Sequence, residues 1–181
     1  MHVVVVYESM YGNTHTIAGA IGRGFEAAGD EVMVVPVHEA DRALVDGADL
    51  LVVGGPTHAH SMSRESTRQS AVEMAAKPDS GLTLDEDAEG DGLREWFEAT
   101  GRSGTAAAAF DTRISMAPIL TGRASKAITK QLRHHGYDVV VEPESFLVTK
   151  DNHLEPGEEA RAEAWGTSVS GAIRETAASR S

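Results

Sequence analysis

The chain contains no cysteine, which removes disulfides, thiolate zinc sites, iron–sulfur clusters and cysteine nucleophiles together. It also lacks any apolar run long enough to span a bilayer, and Val3-Val4-Val5-Val6 is too short and too poorly flanked for a signal peptide. The expectations are a cytoplasmic location and no membrane partner. Positive charge is scarce: 16 Lys and Arg stand against 28 Asp and Glu, a net charge of -12. That balance argues against a nucleic acid partner and against an anionic membrane surface. Gly-x-Ser-x-Gly and the Walker loop are both missing, so neither a serine hydrolase nor a P-loop nucleotidase is indicated.

What is present suffices for one domain: 181 residues, 41% of them apolar. Short apolar runs alternate with helical stretches, at His2–Tyr7, Glu31–Pro36, Leu50–Gly54, Thr105–Phe110, and Asp138–Glu142 with Ser145–Val148. Unbroken Val, Leu and Ile runs of this kind suit parallel strands buried on both faces, so the pattern predicts a doubly wound α/β domain over residues 1–177. The first helix carries Ile17, Ile21 and Phe25 on one face and ends at Gly29, a left-handed C-terminal cap. A later helix turns Ala124, Ile128 and Leu132 inward and Arg123, Lys126, Lys130 and Arg133 outward. The last helix starts at Pro156 and buries Trp165, Val169 and Ile173. Residues 77–92 are acidic and Gly-rich, which predicts a mobile insertion, with the carboxylates from Asp85 to Asp91 solvated. They lack the ligand spacing of a calcium loop.

The most informative segment is Ser9-Met10-Tyr11-Gly12-Asn13-Thr14, between the first strand and the first helix. Small and hydroxylated residues at such a junction aim N–H groups and hydroxyls at one point, where the helix dipole adds positive charge. Read from the residues alone, the loop is either an anion cradle or a plain helix cap. In an open parallel sheet, ligands sit at the carboxyl ends of the strands where the winding reverses, and two further segments fall there: Gly55–Thr67 and Asp111–Thr121.

The order of these pieces resembles the flavodoxin family, over about Val3 to Ile173. That family binds the phosphate of flavin mononucleotide (FMN) with a Ser/Thr-x-Thr/Tyr-Gly-x-Thr loop, and Ser9, Tyr11, Gly12 and Thr14 hold those places here. The resemblance implies a flavodoxin-like sandwich with a five-stranded parallel sheet of order 2-1-3-4-5 and helices on both faces. It implies cofactor contacts from Ser9, Met10, Tyr11, Gly12, Asn13 and Thr14 at the phosphate, and from Pro56, Thr57 and His58 beside the ring. Phe110, Asp111, Thr112 and Arg113 are expected along the ring's polar edge, in a loop that meets the ring through backbone groups. The stretch Gly54-Gly55-Pro56-Thr57-His58-Ala59-His60-Ser61-Met62 departs from the family by offering no stacking aromatic.

His58, His60 and Arg113 are the candidate catalytic residues. Either His suits a proton donor near neutrality, while His58 and His60 lack the further ligands a metal would need, so no metal is expected. Arg113 either stabilises negative charge on a reduced flavin or forms a surface pair with Asp111. The implied function is an FMN-binding electron carrier that serves a redox partner protein. The alternatives are an NAD(P)H-dependent quinone oxidoreductase acting on a small quinone, and a flavin-free binding module.

Overall fold

The computed structural model describes residues 1–58, 60–88 and 90–179; Ala59 and Glu89, which belong to two segments singled out above, lie outside them. In chain order the elements are β1 (His2–Tyr7), α1 (Asn13–Ala27), β2 (Glu31–Pro36), α2 (Arg42–Asp46), β3 (Leu50–Pro56), α3 (Glu65–Ala75) and α4 (Leu93–Thr100). They continue with β4 (Ala106–Ile114), α5 (Pro118–Thr121), α6 (Ala124–His134), β5 (Asp138–Val139), β6 (Glu144–Val148) and α7 (Glu158–Ser179). A single 3-10 turn, Val37–Glu39, follows β2.

Every strand pairing is parallel and the order is 2-1-3-4-5, as expected. The fifth place is shared: β5 pairs with Ala106 and Ala107, and β6 pairs with Phe110–Ile114 further along the edge that β3 leaves free. This second partner explains why β4 runs to Ile114, four residues past the expected end.

Alternation along the strands sorts their side chains into two layers. Val3, Val5, Leu50, Val52, Ala108 and Phe110 face α1 and α7, against Ile17, Ile21, Phe25 and Val169. Val4, Val6, Leu51, Val53, Ala107 and Ala109 face the opposite way, against Trp96 and Phe97 of α4 and Ile128 and Leu132 of α6. Each large apolar side chain buried this way contributes roughly 1.5–3 kcal/mol relative to exposure. Gly29 takes φ 83 as a left-handed cap after α1. Trp165 is half-buried and packs against Phe110 and Phe146. The last helix begins at Glu158 rather than Pro156, because Gly157 takes φ 86 and breaks the helical path before it.

The acidic segment corrects an expectation. Residues 84–88 are packed against the start of α1: Asp85 N–H donates to Met10 O at 2.9 Å, and Ala88 clusters with Met10 and Ala71. Leu84 and Ala88, four apart, supply the apolar contacts, and the Tyr7 hydroxyl donates to Asp87 at 2.7 Å. Asp85 is therefore not solvated; its side chain is 3% exposed. Glu86 and Asp91 are exposed as expected. Among the described residues no helix is long and apolar enough to cross a membrane.

Candidate functional site

The cradle and cap readings meet at the N-terminus of α1. Gly12 sits at φ 88, a conformation that glycine adopts without steric cost, and no side chain caps the helix. The first helical bond runs from Thr16 N–H to Gly12 O, so the N–H groups of Asn13, Thr14 and His15 have no acceptor within the helix. Ser9 Oγ turns back to accept the Gly12 N–H at 3.1 Å, which shapes the loop and leaves its own O–H free to donate. Among the described residues no side chain caps α1, and this 15-residue helix presents bare N–H groups and its positive end at this point.

These groups open into a cleft of about 170 Å³ whose other walls are Pro56–His58 and Thr112–Ile114. A second cleft of about 260 Å³ shares Thr57, Arg113 and Ile114 with it and continues to His60, Met116 and Leu120. Together they reach the range of about 300–1,000 Å³ in which small-molecule sites fall. A larger depression of about 400 Å³ between Val139 and α7 lies at the amino ends of the strands, opposite the face that open α/β sheets use.

Met10, Tyr11, Asn13, Thr14, Pro56, Thr57, His58, Thr112 and Arg113 all border the first cleft. Thr14 and Thr112 join hydroxyls across it at 2.7 Å. Tyr11 sends its hydroxyl to Ala71 O of α3 and so covers the cleft's edge. Thr57 accepts the Ala124 N–H and anchors the first turn of α6.

Of the expected contact residues, Ser9, Gly12, Phe110 and Asp111 do not border the cleft, and Ser9, Phe110 and Asp111 are buried. Phe110 is fully buried in the α1–α7 layer, where its ring fills the space that a Cβ on Gly54 would need. Asp111 is fully buried on the other side of β4, its Oδ2 accepting the Ser125 N–H at 2.7 Å. Burial pushes the Asp111 carboxyl up, against the pull of its Ser125 and Ser145 neighbours.

The surface pair of Asp111 and Arg113 does not form. Two apart on β4, they share a face, but Asp111 is taken by the first turn of α6 and Arg113 by the carbonyls of its own loop. Arg113 is only 9% exposed and donates through Nη1 to Met116 O at 2.7 Å and Ile114 O at 3.3 Å, while its buried Nε has no partner among the described residues. It therefore shapes the loop after β4 and carries a positive charge where the two clefts meet.

His58 and His60 sit on different clefts, joined through the tight turn closed by the His58 and Ser61 backbones. Burial pulls the His58 imidazole below its ordinary value; Glu8 opposes this and Arg68 reinforces it. His58 is thus neutral near pH 7, which weakens it as a proton donor and leaves it a hydrogen-bonding group. His60 is exposed at φ 73 and packs its backbone against Gly122.

Sequence reasoning missed Asn152 and Val148, which complete the first cleft from the end of β6. Asn152 takes φ 61 and its O and Oδ1 both accept from Asn13 Nδ2 at 3.0 Å. Its place after the last strand was the available signal. Also missed was the buried Glu8, which accepts the Leu93 N–H at 2.9 Å.

Residues 5–79 match the family model described as flavodoxin. A comparison with curated proteins by sequence finds no match. A flavodoxin from the domain Archaea superposes with a TM-score of 0.64 at 20% identity, over 96% of this chain and 99% of that one. Flavodoxin 1 from Bacillus cereus gives 0.63 at 19% identity, over 92% and 95%. The Flv1 flavodiiron core from Synechocystis sp. PCC6803 gives 0.63 at 18% identity, over 97% of this chain but 36% of that one. The chain is flavodoxin-like, by its family pattern over residues 5–79 and by its fold along nearly its whole length.

Proposed function

We propose that the chain binds FMN and passes electrons between a reductase and an acceptor protein. One observation carries this reading: the uncapped N-terminus of α1 opens into a cleft bounded by the loops after β3, β4 and β6. The Asn13 and Thr14 N–H groups, the Ser9 and Thr14 hydroxyls and the positive end of α1 suit a phosphate monoester. The wall from Pro56 to His58 and the wall from Thr112 to Ile114 suit the two sides of a flat ring. Bound FMN supplies one-electron and hydride chemistry. The chain's part is to hold the phosphate, exclude water from one side of the ring, and place the Arg113 charge where it favours electron density on the ring's polar edge. The net charge of -12 steers the protein toward a basic partner face and makes docking salt-sensitive.

A titration with FMN and with riboflavin, followed by flavin fluorescence, tests the reading. FMN binds much more tightly than riboflavin if α1 receives the phosphate. Equal affinities remove the phosphate site, and a colourless protein that takes up neither supports a flavin-free binding module instead.

The second cleft supports one other reading, reduction of a small quinone by NAD(P)H. It adjoins the ring site through Thr57 and Arg113, and exposed His60 borders it as a proton donor. Bleaching of the FMN-loaded protein by NADPH alone, with ping-pong turnover of a quinone, distinguishes this enzyme from a carrier.

A further inference from the structure

Four side chains that do not border the cleft converge on the outer flank of the Ser9–Thr14 loop. His15, in the first turn of α1, brings Nδ1 to 3.4 Å from Asp85 Oδ1 and 3.8 Å from Asp87 Oδ2. His38, in the 3-10 turn after β2, places Nε2 4.0 Å from Asp87 Oδ1. The ligating atoms of His15, Asp85 and Asp87 all lie within 4.8 Å of one another. A tetrahedral ion with ligands at about 2.0–2.1 Å sets its ligand atoms about 3.3 Å apart, so these distances close by small side-chain adjustments.

A second observation is independent of that proximity. Asp85 is almost wholly buried, yet its Oδ2 has no hydrogen-bond partner among the described residues. Asp87, three-quarters or more buried, lies beside it and is oriented by the Tyr7 hydroxyl at 2.7 Å. The His15 ring is held in turn by stacking on Tyr7, with centroids 4.6 Å apart. Adjacent buried carboxylates, opposed by imidazoles and fixed by outer partners, form the arrangement that a cation completes.

We propose that His15, Asp85 and Asp87, with His38 beside Asp87, form a binding site for a divalent transition-metal ion of the Zn²⁺ type. The mixture of imidazole nitrogen and carboxylate oxygen selects such an ion over Mg²⁺, which prefers six oxygen ligands in octahedral geometry. The ion ties residues 85–87 to α1 and to the turn after β2. It also reverses the local charge beside the anion-binding loop, since Asp85 Oδ2 lies 3.8 Å from where a Cβ on Gly12 would stand. Without it, two carboxylates oppose an anion at the end of α1; with it, metal and phosphate bind with positive coupling. The metal site stands without the flavin reading, and only this coupling rests on it.

Protein stripped with EDTA and titrated with ZnCl₂ by calorimetry, with Mg²⁺ in millimolar excess, tests the site. One Zn²⁺ per chain is expected, and Co²⁺ in its place gives the visible absorption bands of a tetrahedral nitrogen and oxygen site. Asp85→Asn with Asp87→Asn lowers the affinity by at least about 100-fold. His15→Gln, at a more exposed position, lowers it about 10-fold while thermal unfolding of the metal-free protein shows the fold retained. A double His134→Ala and His135→Ala variant, at the end of α6, binds as the unaltered chain does. Absence of saturable Zn²⁺ uptake, uptake unaffected by the Asp variants, or equal competition by Mg²⁺ overturns the proposal. In a parallel FMN titration Zn²⁺ tightens binding several-fold; if FMN does not bind while Zn²⁺ does, the flavin reading falls and the metal site stands.

Discussion

The two walls of the cleft are built on opposite plans. At the α1 wall the free groups are backbone N–H groups, fixed by helix geometry and aimed by Gly12 and Ser9. At the wall formed by the loops after β3 and β4, the polar side chains are already engaged in structure. Thr57 holds α6, Asp111 holds the next residue of that helix, and Arg113 holds the carbonyls of its own loop. The first wall is prepared to receive a charge. The second is stiff, offers mostly apolar edges, and contributes one buried cation and one neutral imidazole. Affinity should therefore come mainly from the first wall, and tuning from the second.

The sharpest way to break this contrast is to replace Ser9 and Thr14 by Ala together. Hydrogen bonds to charged groups contribute roughly 1.5–3 kcal/mol each, so losing two hydroxyls weakens FMN binding by about 100-fold or more. Riboflavin binding should hardly change, because it lacks the phosphate. Fluorescence titration of both ligands checks this, and an unchanged FMN affinity would show that the α1 wall is not the main source of binding.

Arg113→Ala should have the next largest effect, about 10-fold on FMN affinity, and unlike the first change it should also reduce stability. The loop after β4 loses the ties to Met116 O and Ile114 O, a cost of about 2 kcal/mol, or roughly 4–8 °C in Tm for a chain of this size. Arg113→Lys separates the two contributions, since Lys keeps the charge but lacks the planar guanidinium whose Nη1 reaches both carbonyls. If Lys restores affinity without restoring Tm, charge is the part that concerns the ligand. Restoration of Tm alone would make Arg113 a loop brace.

The difference between the walls also explains what the sequence disclosed. Periodicity is local, and it placed β1, α1, β2 and the inward faces of α1 and α6 closely, along with the sheet order through the resemblance. The Ser9–Thr14 loop was legible because strand, turn and helix are consecutive there. Long-range pairing was not legible: β4 extends to Ile114 only because β6 pairs with it, and β6 lies 30 residues or more downstream. Composition misled at Asp85, where charge suggested solvation but Leu84 and Ala88 draw the segment onto Met10. It misled again at Asp111 and Arg113, which share a face of β4, because separate partners keep the two from pairing. Asn152 reaches Asn13 across 139 positions, and no local pattern encodes that contact.

A smaller change tests the absence of a stacking aromatic on the second wall. His58→Phe places a ring beside the cleft and should tighten FMN binding by about 2- to 10-fold, the equivalent of roughly 0.5–1.5 kcal/mol for an aromatic pair. The same change should leave the preference for FMN over riboflavin intact, because that preference belongs to α1. A loss of preference on measuring both affinities would mean that the walls do not act separately.

The smallest effect concerns pH, and it again divides the walls. The α1 wall is built from Ser, Thr, Asn and backbone groups that do not titrate near neutrality, whereas the second wall carries His58. Burial, with help from Arg68, holds that imidazole below its ordinary value of about 6.5 despite the opposing pull of Glu8. Below that ordinary value the unfolded chain takes up a proton that the folded chain still refuses. His58 thus contributes stability that is fully present above about pH 6.5 and is lost as the pH falls through its lowered folded value. Asp111 acts with the opposite sign at lower pH: its carboxyl is raised by burial, so its contribution is present below the ordinary carboxylate value and lost as the pH rises through the folded one. Urea unfolding measured from pH 7.5 downward should therefore show a steeper loss of stability in the unaltered chain than in His58→Gln. The difference between the two chains should open just below neutrality, and superimposable pH profiles would show that His58 is not held neutral by the wall it belongs to.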